Sequence, residues 1–266
     1  MKIVGYTALR YGADYLGWAI RSVIDHLDEY HVLYAVQPSH GHWSAAPCPE
    51  TEMQLYEIAQ RAAGAKLRWH SGNWTQEGQQ RSAIYELAPD ADAILSIDSD
   101  EIYSEKLIDS IKTYIGYTVG GQPRPTFSLP EFRYIRLPFI HYWRSFNRCI
   151  LHDPAYPARL IFPKYQPPEH MKEILTEATW PSNAGVVNHM GYAIRPEIMA
   201  YKWKIHGHLP ELRTDVNWFY DVFMANRQFD CHPVGSEWWN PEDVNPFLYM
   251  PHWMIEHPFY GKKVIE

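Results

Sequence analysis

Asp98-Ser99-Asp100 is the stretch of this chain whose residue types and spacing are best suited to chemistry. The run Ala93 to Ile97 before it reads as a buried strand. The two acids then sit at the carboxyl end of that strand, the edge where open α/β sheets bind ligands. Residues i and i+2 of an extended segment point the same way, so both carboxylates are expected to face one cation. Hard oxygens suit Mg2+ or Mn2+, and such a cation would neutralise the diphosphate of a nucleotide donor. Two solvated acids closing a strand would leave the same trace, so context has to decide. A calcium loop of EF-hand type needs glycine at its sixth position, where Tyr103 stands. Phosphatases with an aspartyl nucleophile carry their acids after the first strand, whereas these follow the fourth.

The elements that must position these acids are legible in the hydrophobic spacing. Residues 1 to 103 alternate in the βαβα manner of a parallel sheet covered by helices. Strands are expected at Lys2 to Tyr6, His31 to Val36, Lys66 to His70 and Ala93 to Ile97. Between them, Leu16, Ala19, Ile20, Val23, Ile24 and Leu27 mark one face of a helix. Residues 51 to 63, stopped by Gly64, and Thr75 to Leu87 predict two more. Ser104 is the expected N-cap of a helix running to Ile115. Residues 122 to 182 are rich in proline and aromatics, which predicts short strands and ordered loops. A strand at Gly185 to Asn188 follows, then helices from Pro196 to about His206 and near Asp215 to Asn226.

With the strand order in view, the run from Asn73-Trp74 through Gln80-Arg81 to Ala93-Ile94-Leu95-Ser96-Ile97-Asp98-Ser99-Asp100-Glu101 resembles glycosyltransferase family 2. It is most similar to the branch containing lipopolysaccharide-core glucosyltransferases, which has a tryptophan, an arginine-bearing helix and a strand ending in D-x-D-E. Tyr156-Pro157-Ala158-Arg159-Leu160-Ile161-Phe162, Glu169-His170 and Asn188-His189-Met190-Gly191-Tyr192 follow in the same order. The resemblance covers roughly residues 1 to 210 in short scattered motifs. It implies an α/β chain of GT-A (Rossmann-like) type, with a mixed, mostly parallel sheet flanked by helices. It also implies a nucleoside-diphosphate sugar as donor substrate and Mn2+ or Mg2+ as metal.

On that basis Asp100, with Asp98, is expected to hold the metal, and Asp98 to lie near the donor ribose. His189, placed just after a strand, is the implied third ligand, and Arg81 the arginine that approaches the nucleotide. Lys202 and His206, four apart on one helical face, are positioned to meet the leaving diphosphate. An inverting transfer needs a carboxylate to take the acceptor hydroxyl proton, for which Glu169 is the first candidate and Glu173 the second. The sequence departs from the family at Gln37-Pro38-Ser39-His40, where acidic residues normally meet the base and ribose, so the base is left unassigned. The family's His-Glu pair stands here in reverse order as Glu169-His170.

Composition bounds the rest. The chain has 266 residues, 24 basic and 31 acidic, with 46% hydrophobic and 15% aromatic side chains. That is one globular domain by length, 1-266, with a nucleotide-sugar-binding half (1-120) and an acceptor-binding half with a C-terminal elaboration (121-266). No apolar run approaches the roughly 20 residues of a membrane span. Three widely spaced cysteines and an N-terminus without signal-peptide design suggest a cytoplasmic protein. Cys231-His232 has no second cysteine nearby, so zinc is not expected. Phosphate-loop, dinucleotide and nucleophile-elbow motifs are absent from the sequence.

Although the formal charge is −7, residues 133 to 172 hold seven basic side chains against Asp153 and Glu169, interleaved with aromatics. That segment suggests an anionic acceptor, either a phosphorylated glycan or a hydroxymethylated base of phage-type DNA. A non-catalytic carbohydrate- or nucleic-acid-binding module on the same fold, or a metal-dependent nucleotide-sugar hydrolase, would share these features.

Overall fold

The computed structural model of the chain describes residues 1–39, 44–121, 133–151, 156–164, 177–205, 217–225, 230–231, 238–239 and 241–265. The first half runs β1 (Ile3–Leu9), α1 (Leu16–Arg21), β2 (Glu29–Ala35), α2 (Glu52–Ala63), β3 (Leu67–Gly72), α3 (Glu77–Ser82), α4 (Ile84–Leu87) and β4 (Ala93–Ser96). Then come β5 (Glu101–Tyr103) and α5 (Glu105–Gly120). The second half adds β6 (Tyr134–Arg136), β7 (Phe139–Trp143), β8 (Arg148–Ile150), β9 (Ala158–Ile161), β10 (Glu177–Thr179), β11 (Val187–Tyr192) and α6 (Pro196–Ile205).

The expected α/β architecture is present. A seven-stranded sheet has the order β10-β6-β9-β4-β1-β2-β3. β1 is parallel to both β2 and β4, and β3 to β2. Only β9 runs against its neighbours, antiparallel to β4 and β6. Six strands thus share one direction, and helices flank the sheet. β2 is buried along almost its whole length, as a strand covered on both faces must be. A second sheet joins the short edge strand Glu242–Asp243 to β8, β7, β11 and β5 in that order.

Local signals placed the helices well and their ends less well. Ser104 caps α5, its Oγ accepting from Leu107 N at 3.3 Å, and Thr51 caps α2 in the same way at 3.2 Å. The single helix expected over Leu16 to Leu27 instead ends at Arg21 and resumes as a 3₁₀ turn at Ile24–His26. Ser22 accounts for the break. Its Oγ donates back to Ala19 O (2.7 Å) and accepts from Tyr103 N (3.2 Å), so β5 takes hold of the helix end. Leu16, Ala19, Ile20, Val23 and Leu27 are buried all the same.

The described aromatic residues of the 133–172 segment are mostly core. Phe139, Tyr142, Trp143, Phe146 and Phe162 are buried, which leaves few of them to stack on a sugar or base. Three of the seven cations of the same segment pair with acids from other parts of the chain. Arg136 pairs with Glu177, Lys164 with Asp92 (2.8 Å), and Arg159 with Asp98 and Glu101. Part of the expected open basic surface is therefore a set of tertiary ion pairs.

Near the C-terminus, His257 packs flat on Tyr15 (centroids 4.7 Å apart). Its Nδ1 accepts from Phe259 N (3.1 Å), while Nε2 donates to Asp14 O (2.9 Å). The Asp14 carboxylate itself is held by Arg195 at 2.5 Å. Both ring nitrogens are used by the neutral form, and burial lowers the imidazole pKa. A histidine whose folded pKa lies below its unfolded value of about 6.5 stabilises fully above that pH and loses the contribution as pH falls. The wild type will therefore out-melt His257→Gln at pH 7.5, and the gap will narrow by pH 5.5. A gap that stays constant or widens would refute this assignment.

Candidate active site

β1 lies between β2 and β4, so the sheet order turns outward in both directions from the β1/β4 pair. Strand ends at such a switch point open a crevice between the loops that leave them. A cavity of about 240 Å³ occupies this position. Leu9, Arg10 and Tyr11 reach it from the end of β1, Gln80 and Arg81 from α3, Asp98 to Asp100 from the end of β4, His189 from β11 and Lys202 from α6. Arg81, Asp98, Asp100, His189 and Lys202, named from the sequence, thus meet at one cleft. Glu169, Glu173 and His206 lie outside the described residues.

The acidic motif is a turn, not the extended segment expected. Glu101 N donates to Asp98 O at 3.1 Å, and the two aspartates face different partners. Asp98 is gripped from two sides, by Arg81 Nη2 at 2.8 Å and Arg159 Nη2 at 2.7 Å. Arg159 also forks onto buried Glu101, with Nη2 2.5 Å from Oε1 and Nε 3.0 Å from both oxygens. Burial opposes ionisation of Asp98, but the Arg159 and Arg81 guanidiniums outweigh it and hold the carboxyl below its ordinary range. At Glu101 burial dominates and pushes the carboxyl up to about 7, with Arg159 opposing.

Asp100 faces the other way. Its Oδ2 lies 3.7 Å from His189 Nε2 and 4.0 Å from Lys202 Nζ, and burial raises its pKa. His189 lies within β11, not after a strand as expected, and Met190 N donates to Asp100 O at 2.7 Å. Burial, with Lys202 adding, pushes the His189 imidazole down to about 3, so it is neutral. Its Nδ1 is 2.7 Å from His141 Nδ1; one of these nitrogens donates to the other. That contact orients the ring and leaves Nε2 toward Asp100, as a supporting histidine does behind a metal ligand.

Two glycines make this arrangement possible. The pairing of β11 with β7 slips between His189 and Tyr192, and bulges of this kind re-aim side chains beside active sites. Gly191 stands in the slip, where a Cβ would lie 2.5 Å from His189 Nε2 and 3.0 Å from Asp100 Oδ2. Gly12, at φ +142°, brings the loop after β1 so close that a Cβ would meet Ser99 Oγ at 2.2 Å.

Among the described residues no group of three or more His, Cys, Asp or Glu side chains could hold a metal ion. A hard carboxylate paired with a neutral imidazole does suit a divalent cation as a two-residue site that leaves further positions to a ligand's oxygens. Lys202 offers a competing positive charge to the same carboxylate.

Sequence reasoning did not single out three contributors. Arg159, seen only as part of a motif and a basic segment, reaches Asp98 because β9 lies beside β4. Arg10 donates to Tyr34 Oη (2.9 Å), Ala35 O (3.1 Å) and Tyr201 Oη (3.1 Å), tying the ends of β1 and β2 to α6. Gln80 accepts from Ser39 and donates to Leu33 O, both at 2.6 Å. Arg10 directly follows a strand at the ligand-binding edge, a position that could have marked it.

Neither a family model nor a curated protein matches the sequence. Among solved structures the chain is similar to TarS 1-349 of S. aureus, with 13% identity and a TM-score of 0.33, over 53% of this chain and 42% of that one. It thus spans less than half the length of that neighbour. It is also similar to the inositol-1-phosphate CTP transferase from T. maritima, with 9% identity and a TM-score of 0.35, over 71% of this chain and 84% of that one.

Proposed function

We propose that the chain is a metal-dependent glycosyltransferase of GT-A type that moves a hexosyl or pentosyl unit from a nucleoside-diphosphate sugar to an acceptor hydroxyl. The observation that carries this reading is the meeting of Arg81, Asp98, Asp100, His189 and Lys202 at one cleft on the β1/β4 switch point. Asp100 and His189 would hold Mn2+ or Mg2+, which when bound supplies positive charge against a diphosphate. Lys202 and Arg10 add cations to the lining of the same cleft, which would stabilise charge on a departing diphosphate. Asp98 works differently from the motif's usual reading. Locked by two arginines, it keeps Arg81 and Arg159 in place beside the cleft.

Proton removal from the acceptor is assigned to Glu169 or Glu173 on the resemblance alone. The same resemblance supports a glycan acceptor; a DNA base remains the alternative substrate.

A thermal-shift panel of nucleoside-diphosphate sugars, with and without Mn2+, tests the reading. At least one member is expected to raise the melting midpoint only when metal is present. If none does, the donor assignment fails. Free sugar released at the full rate without acceptor would make the protein a hydrolase instead.

A further inference from the structure

Arg195 stands at the head of α6, where its carbonyl accepts from Ile198 N and Met199 N, both at 3.0 Å. Its side chain and its own N–H reach back to the loop that leaves β1. Nε donates to Asp14 Oδ1 at 2.5 Å and the backbone N–H to Asp14 Oδ2 at 3.1 Å, while Nη2 donates to Glu50 Oε1 at 3.0 Å. Glu50 closes the circuit, since its Oε2 accepts from Gly12 N at 2.6 Å and from Ala13 N at 3.0 Å. The Asp14 and Glu50 side chains are 6% and 1% exposed, so neither can exchange these donors for water without cost. Asp14, Glu50 and Arg195 do not line the cleft, yet the segments they tie together lead into it. The loop carries Arg10 and Tyr11 to the cleft, and Tyr11 O accepts from Ser99 Oγ at 3.2 Å in the middle of the acidic turn. From α6 come Tyr201, whose ring meets Tyr11 edge-on at 5.7 Å, and Lys202, whose Nζ lies 4.0 Å from Asp100 Oδ2.

We propose that Arg195 is a positioning residue: through Asp14 and Glu50 it holds the loop after β1 against the acidic turn, and so sets the spacing of Lys202 and Asp100. Hydrogen bonds between a guanidinium and carboxylates are among the strongest and most directional a side chain makes. The planar fork is what lets one residue serve Asp14 and Glu50 at once, which a lysine cannot do. Lys202 follows about two helical turns after Arg195, so a shift at the head of α6 is carried along the helix to the cation. Gly12 sits so close to Ser99 that the loop has no slack on its other side; a displacement there is passed to the turn rather than absorbed. The inference rests on the donor-site reading only for what this spacing serves. The coupling itself is a property of the fold.

Amide hydrogen exchange of the full chain, followed residue by residue by NMR, tests the coupling. In Arg195→Met the Gly12 and Ala13 amides should exchange about tenfold faster or more. The acceleration should extend to Glu101 N, bonded to Asp98 O, and to Met190 N, bonded to Asp100 O. Arg195→Lys should recover only part of the protection. Glu50→Gln keeps the side chain's shape but loses the ion pair, and should show the same reach should Arg195→Met fold poorly. Ile111→Ala, buried in α5 and off the cleft wall, is the control for lost stability and should not single out these amides. Acceleration confined to Gly12, Ala13 and the first turn of α6 would make Arg195 a local brace and overturn the proposal. Mn2+ titrated alone and followed by electron paramagnetic resonance reads the consequence at Asp100. Binding is expected to weaken about tenfold in Arg195→Met and to be unchanged in Ile111→Ala; equal binding in Arg195→Met also overturns the proposal. A wild type that binds no Mn2+ sinks the metal assignment instead, and the exchange pattern then decides the coupling by itself.

Discussion

Asp100→Asn is expected to abolish metal-dependent stabilisation by a nucleotide sugar and to slow turnover by about 10²- to 10³-fold, the usual effect of deleting one electrostatic stabiliser. Asparagine keeps the shape of the side chain, and the backbone bond from Met190 N to Asp100 O (2.7 Å) survives. The fold should therefore persist. Because burial raises the Asp100 pKa, ionising this group in the empty protein is costly, and the variant should melt no lower than the wild type. The measurements are the melting midpoint with and without Mn2+ and donor, and the rate of donor consumption. Full retention of the metal-dependent shift in Asp100→Asn would remove the basis for placing a cation there. EDTA separates the two cationic candidates. Turnover that survives chelation yet falls in Lys202→Ala would assign the diphosphate's counter-charge to Lys202 rather than to a metal.

Arg159→Met should be the most destabilising single change at the site. Its side chain is 12% exposed and answers both Asp98 and Glu101. Removing one partner of a buried charge cluster costs about 3–5 kcal/mol, because the remaining charges stay desolvated. At about 2–4 °C per kcal/mol for a chain of this length, the melting midpoint should fall by roughly 10 °C. Arg159→Lys should recover only part of this, since one ammonium cannot fork onto Glu101 while reaching Asp98. Adding Glu101→Gln to Arg159→Met should restore stability beyond additivity, because it removes one of the stranded acids. An Arg159→Met protein that melts within a degree of the wild type would show that the cluster is solvated and weak.

Hydrophobic spacing made the parallel half of the sheet legible. Its signals are local, with periods of two and about 3.6 residues, and packing of the chosen face reinforces them. Asp98 and Asp100 could be placed at the ligand edge for the same reason, since a strand's carboxyl end follows from its direction. The helix ends at Ser22 and the slip at Gly191 were hidden. Each depends on a contact with a strand far along the chain, Tyr103 in one case and the β7 partner in the other.

The residue types thus determined an α/β chain with an acidic motif at the carboxyl edge of its sheet, although not that the motif is a turn. Only the tertiary structure decided what each charge does. Arg159 answers Asp98 because the reversed strand β9 packs beside β4, and the pairing of β11 with both β5 and β7 brings His189 to Asp100 and His141. Arg136, Arg159 and Lys164, which looked like part of an acceptor surface, are paired within the fold, while Lys262 and Lys263 join Arg144 and Arg148 from more than a hundred residues away. An ion pair forms between side chains that share a place, and places shared across a sheet are set by strand order, which no local periodicity encodes.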